Sequence, residues 1–153
     1  MLRRAFTRRF CQWTPLVKGV PGTDGFRVFV TKDSKPVSSW NDVPLIAKQQ
    51  GENSFSVNTV FNYVNEIPRH TVDKMEIDTS GDPYHPIKQD LTDDGEIRSF
   101  MAGKIPFNYG CFPQTWEDPT FVHPDAEGCR GDNDPVDVCE IGARIVGPGV
   151  SDR

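Results

Sequence analysis

The 153-residue chain contains no apolar run near the ~18 residues that a membrane-spanning helix needs, which excludes a transmembrane span. Its four cysteines, Cys11, Cys111, Cys129 and Cys139, form no C-x-x-C pair, and His70, His85 and His123 lie at no spacing that would complete a zinc site. Reduced, packed thiols in an intracellular compartment are therefore the expectation. There is no N-x-S/T sequon, no glycine-rich Walker loop, no internal repeat and no low-complexity tract. Beyond the first residues, no window longer than ten residues carries a 3.6-residue apolar period, so a helical bundle is excluded. Acids are missing altogether from residues 1–23.

That last absence splits the net charge of −5 into two parts. Residues 1–23 carry Arg3, Arg4, Arg8, Arg9 and Lys18, a charge of +5, and the remaining body carries −10. An acidic body argues against a nucleic-acid partner, because phosphate backbones select basic surfaces, and suits a protein that gathers cations. The first ten residues are Arg-rich, acid-free and amphipathic when wound as a helix, the pattern of a mitochondrial transit segment. Residues 1–20 are accordingly expected to be a targeting segment outside the fold, with mitochondrial residence preferred to cytoplasmic.

Thirteen glycines and thirteen prolines suit short strands joined by many turns. Phe26–Val30 alternates large apolar residues, and Thr31–Pro36 follows as a turn. Residues 55–67 form a longer period-2 stretch ended by Pro68. Asp73–Asp78 alternates again, with Lys74 and Glu76 on one side and Met75 and Ile77 on the other. Glu96–Met101 reads as a further short strand. The expected class is mainly β with minor α, built as a small barrel.

The chemistry concentrates between Glu117 and Glu140, where eight acids face one base, Arg130. Within it lies Gly131-Asp-Asn-Asp-Pro-Val-Asp137. On an extended chain Asp132 and Asp134 share a face, and Pro135 turns the backbone so that Asp137 can converge on them. Three carboxylates that close repel one another unless cations sit among them, and all-oxygen ligands select hard ions, Mg²⁺ above all. An EF-hand is excluded, since its position 6 would be Asp137 and its position 12 Ala143. Upstream, Glu66-Ile-Pro-Arg69 and Lys74-x-Glu76 bring two carboxylates and two cations close along the chain, with Arg98 and Tyr109 on later elements. Cations facing a metal-binding acidic cluster can clamp an anion that is itself metal-bound, and a polyphosphate fits that description.

The Gly131–Asp137 run resembles the signature of the soluble, Mg²⁺-dependent family I inorganic pyrophosphatases. Glu66-Ile-Pro-Arg69, Lys74-Met-Glu76 and Asn108-Tyr-Gly-Cys-Phe-Pro-Gln-Thr-Trp-Glu-Asp-Pro119 are similar too, the last in its eukaryotic form. The resemblance covers residues 24–146, leaving 147–153 as a divergent tail. It implies a five-stranded OB-like barrel with flanking helices, here incomplete, and hydrolysis of inorganic diphosphate to two phosphates. By the same resemblance Asp132, Asp134, Asp137 and Glu66 would serve Mg²⁺, and Asp134 would orient the attacking water as base. Lys74, Arg98 and Tyr109 would hold phosphoryl oxygens, and Glu76 would make a water-mediated contact. Eukaryotic members are usually homodimers.

Two departures accompany it. Ile105 stands where the family has a tyrosine, and the family's second acidic motif has no counterpart after Ile145. The expectation is a diphosphate hydrolase of which these 153 residues alone are inactive or nearly so; the alternative is a catalytically inactive, shortened paralogue acting as a metal-binding or partner subunit.

Overall fold

Short β-branched and aromatic runs separated by glycine, proline and Asp-rich turns have one stable solution, strands whose apolar faces meet. A computed structural model describes residues 13–48 and 59–151 of the chain, and among these every regular element is a strand. Three sheets result. The first has the order β1-β2-β8-β7, with β3 on β2; its strands are β1 (Trp13–Lys18), β2 (Arg27–Lys32), β3 (Lys35–Val37), β7 (Met75–Ile77) and β8 (Ile87–Gln89). The second has the order β10-β9-β6-β11, from β6 (Tyr63–Ile67), β9 (Asn108–Cys111), β10 (Asp137–Glu140) and β11 (Gly149–Ser151). The third pairs β4 (Ile46–Lys48) with β5 (Val60–Phe61). All pairings are antiparallel. The mainly β class is the observed one; the sheets do not close into a single barrel, and no helix occurs among the described residues.

The main core fills the space between the first two sheets with Val28, Val64, Ile67, Met75, Ile77, Ile87 and Ile105. Burying each such side chain contributes about 1.5–3 kcal/mol. Trp13, Val30 and Val43 form a second cluster, and Val150 packs against both.

Several elements differ from the sequence reading. The hairpin between β2 and β3 turns at Asp33 and Ser34, whose φ values of 51° and 64° are left-handed. Strand β1 lies inside the segment expected to be a leader: Trp13 is buried, and all six residues pair with β2. The Arg-rich run Met1–Phe10 lies outside the described residues, as does Phe55–Asn58 of the long period-2 stretch. That stretch breaks at Asn62, and β6 is buried on both faces. Glu96–Met101 is no strand; it contributes only the isolated bridges Leu91↔Ile97 and Asp73↔Ser99. The expected tail at 147–153 includes β11, which pairs with β6. Ile105 packs in the main core.

Candidate functional site

Period-2 geometry sends Met75 and Ile77 of β7 inward and leaves Lys74 and Glu76 on the opposite face. Glu76 sits across the ladder from Lys88 of β8, and their charges meet at 3.8 Å. Lys74 Nζ reaches Asp90 Oδ2 at 2.6 Å, and Arg98 Nη1 reaches the same oxygen at 3.1 Å. A second Lys74 contact goes to Glu76 at 3.6 Å. Pairs this close to solvent contribute about 0–1 kcal/mol each, so their main effect is to fix where the cations stand.

The acidic loop is shaped by the Thr115-Trp-Glu117 segment beside it. Glu117 N donates to Asp134 O at 2.9 Å, and Asn133 N donates to Glu117 O at 3.1 Å. Thr115 Oγ1 accepts from Val136 N at 2.9 Å, and Trp116 Nε1 donates to Asn133 Oδ1 at 3.1 Å. Asn133 adopts φ 76°, which an Asn tolerates better than most residues. Gly131 runs so close to the Glu117 carbonyl that any Cβ would overlap it. Asp134 N donates to Asp132 Oδ1 at 3.1 Å, and the loop feeds into β10 at Asp137.

Strands β6 and β9 complete the wall. Glu66 is buried and accepts the Ile77 amide at 2.7 Å, and Tyr109 stands half-buried opposite Cys139 of β10. A pocket of about 90 Å³ is lined by Glu66, Lys74, Glu76, Tyr109, Asp132, Asp134 and Asp137. Seven of the eight expected site residues thus meet at one place. Arg98 does not line it; it stands half-exposed beside Lys74, held through Asp90. Arg69 turns away and donates to the Gly142 carbonyl at 2.7 Å. The three aspartates share the pocket but are not drawn together: among the described residues, no group of three His, Cys, Asp or Glu side chains could hold a metal ion as placed.

The electrostatics match an acid-rich pocket. Burial, then the Asp137, Glu76 and Asp134 carboxylates, push the Glu66 carboxyl up to about 8, against the pull of the Ile77 amide. Burial and Asp132 raise Asp134, while Thr79 and Lys74 oppose the rise. Burial and Asp90 raise Glu76. Tyr109 is raised by burial and the neighbouring Asp137 carboxylate, so it stays a neutral hydroxyl. Cys111 borders the same space, and burial with the surrounding carboxylates pushes its thiol up, which rules out a thiolate nucleophile. Several oxygen donors of one charge around a small space form a donor set that fits a hard divalent cation.

Lys88, Gln89 and Asp90 were not singled out by sequence motif, and Thr115–Glu117 entered only as part of the Asn108–Pro119 run, with no role given to them. The alternation Lys88-Gln-Asp90, facing the Lys74-x-Glu76 pair, carried the signal.

The sequence model of the inorganic pyrophosphatase family matches residues 63–152. A curated inorganic pyrophosphatase of Dictyostelium discoideum is 44% identical over 142 residues, which are 93% of this chain and 47% of that protein. The type I inorganic pyrophosphatase of Toxoplasma gondii superposes with a TM-score of 0.79 at 40% identity, covering 90% of this chain and 58% of that one. A vacuolar soluble pyrophosphatase of Trypanosoma cruzi, truncated at its N-terminal domain and solved in complex with PPi, gives 0.75 at 34% identity over 98% of this chain and 60% of its own. The chain spans about half the length of the curated relatives it matches. No helix among the described residues is long and apolar enough to cross a membrane.

Proposed function

The chain belongs to the inorganic pyrophosphatase family, and from that membership we propose that it hydrolyses inorganic diphosphate to two phosphates with Mg²⁺. The observation that carries this reading is the pocket itself, where Lys74 stands across from Asp132, Asp134 and Asp137. A diphosphate needs both sides: cations for its oxygens and carboxylates for the divalent ions that accompany it.

Asp132, Asp134, Asp137 and Glu66 would hold Mg²⁺. Bound there, the ion supplies neutralisation of phosphoryl charge and acidifies water. Lys74 and Tyr109 line the pocket and would donate toward phosphoryl oxygens, as would Arg98, which shares Asp90 with Lys74. Asp134 would orient the attacking water and take its proton as base. Glu76 is positioned between Lys74 and Lys88 to reach substrate through water.

The deciding experiment is phosphate release from Mg-diphosphate by the purified chain, free of contaminating enzyme, alongside Asp134→Asn. Release lost in the variant is the expected result. Release that survives Asp134→Asn would sink the assignment, and Mg²⁺ binding without release would leave only a metal-binding, non-catalytic role.

Three further expectations belong to this proposal. Residence in mitochondria is supported by the acid-free, Arg-rich first ten residues, and import of a fluorescent protein fused behind them tests it. Homodimer formation is read by sedimentation of the purified chain. The −10 body supports the absence of a nucleic-acid partner, to be checked by gel shift.

A further inference from the structure

Gln89 closes β8 and is 2% exposed, beneath the charged face rather than in the pocket. Its side-chain nitrogen donates to three carbonyls: Lys74 at 2.8 Å, Arg98 at 3.0 Å and Asp90 at 3.2 Å. Those are the backbones of the same three residues whose side chains form the cation–carboxylate trio above.

The geometry dictates which end of the amide points there, since an oxygen in that place would face three carbonyl lone pairs. Two N–H protons serve three acceptors, so the longest contact, to Asp90, is the shared one. The Gln89 oxygen has no hydrogen-bond partner among the described residues. Burying a carboxamide with one end unpaired costs free energy that an apolar side chain of the same shape would not. The donor end is what distinguishes glutamine from methionine at this position.

Ordinary sheet pairing does not hold the two cations. Lys74 immediately precedes β7, and Arg98 lies outside every strand, just past the single bridge Leu91↔Ile97. Three backbone bonds connect the group: Lys74 N to Arg98 O at 3.0 Å, Asp90 N to Lys74 O at 2.9 Å, and Arg98 N to Asp90 O at 2.9 Å. Gln89 supplies the second bond to the Lys74 and Arg98 carbonyls and so ties the two stretches into one unit.

We propose that Gln89 is a positioning residue for the anion clamp: its buried carboxamide sets the separation of the Lys74 and Arg98 backbones, and Asp90 then directs their charged heads. The inference rests on the diphosphate reading above. The two phosphoryl groups of a diphosphate share one bridging oxygen and so present their oxygens within a short span, and a clamp with one cation displaced loses affinity while the acidic loop is untouched.

The test uses the whole chain with methylenediphosphonate and Mg²⁺ in a calorimeter. Gln89→Met is expected to weaken binding about 5- to 20-fold, in keeping with loss of a buried donor to carbonyls. In a Lys74→Met or Arg98→Met background the same change is expected to cost less than about 2-fold, because residues acting through one another are not additive. Amide exchange at Lys74 and Arg98 should quicken while exchange at Val28, in the core, stays put. If Gln89→Met does not accumulate folded, Gln89→Asn, which keeps the amide but shortens its reach, takes its place. Binding equal to the parent, or additive losses in the double variants, overturns the positioning role. A parent chain that binds no diphosphonate overturns the diphosphate reading itself, which the exchange data, needing no ligand, tell apart from a failure of the Gln89 tie.

Discussion

The carboxylate of Glu66 accepts the backbone amide of Ile77 at 2.7 Å, and through that one bond a strand of the second sheet caps the open edge of the first. Edge strands normally leave such amides to water or to a neighbouring strand. Here a side chain from β6 does that work and stands in the pocket at the same time. Structural and chemical duties therefore fall on one carboxyl.

The two duties can be separated. Glu66→Gln keeps an acceptor for the Ile77 amide and cannot ionise, and burial already pushes the Glu66 carboxyl up to about 8, so its stability to urea at neutral pH should equal that of the parent. Glu66→Ala orphans the amide and should lose about 1–3 kcal/mol. Both variants should bind Mg²⁺ more weakly. Urea titrations and calorimetry on the pair check the prediction, and a destabilised Glu66→Gln would contradict it.

Trp13 offers a test of where the fold starts. It anchors the cluster with Val30 and Val43, with the Lys32 ammonium 5.1 Å from its ring centroid. Trp13→Ala should cost about 3–5 kcal/mol, the range for removing a large buried aromatic. A thermal melt unchanged by the substitution would put residue 13 outside the structural unit after all.

Gly131→Ala should disturb the acidic loop specifically. The new methyl would overlap the Glu117 carbonyl, and backbone must shift to admit it. A cost of about 1–3 kcal/mol is expected, as for overpacked sites. Luminescence of bound Tb³⁺, a hard-cation probe, should fall further in this variant than in Gly147→Ala, where no atom lies within 4 Å of the added carbon.

Acid should weaken the fold in part through Asp78. Burial pushes its carboxyl up, but the Ser80 hydroxyl and amide and the Lys88 ammonium outweigh that and hold it below the usual range. A carboxyl lowered on folding stabilises above its unfolded value of about 3.9, and that contribution disappears as pH falls through the lower folded value. Asp78→Asn should be less stable by about 1–2 kcal/mol at neutral pH, the scale of hydrogen bonds to a charged group. The two proteins should converge as pH falls through the parent's lowered folded value, where its carboxyl is protonated too. Urea midpoints from pH 2 to 7 provide the check.

Much of this site could be read from residue order alone. Lys74 and Glu76 alternate with Met75 and Ile77, and the D-x-D-P-x-D spacing marks the acidic loop without any coordinates. Other parts were hidden for physical reasons. Asn65 and Glu66 are polar residues in a period-2 stretch, one on each face, yet both are buried: Asn65 donates to the Val146 carbonyl and Glu66 takes the Ile77 amide. Asn108-Tyr-Gly reads as a turn, but it is β9; the glycine is needed because Gly110 runs against the Val64 carbonyl with no room for a Cβ. Strand β1 was masked by the basic composition on its N-terminal side. Arg69, adjacent in sequence to the site, is turned from it by Pro68 and the bond to Gly142.

The pairing of β11 with β6 sets a tempo for folding. Val64 and Val150 face each other across that ladder, although they stand far apart along the chain, and Val150 touches both core clusters. During synthesis β6 leaves the ribosome long before its neighbour exists, with one flank unpaired until the last described strand emerges. Closing so long a loop places this protein among slow folders, on the scale of milliseconds to seconds. For that interval the β6 flank is open to any other extended segment.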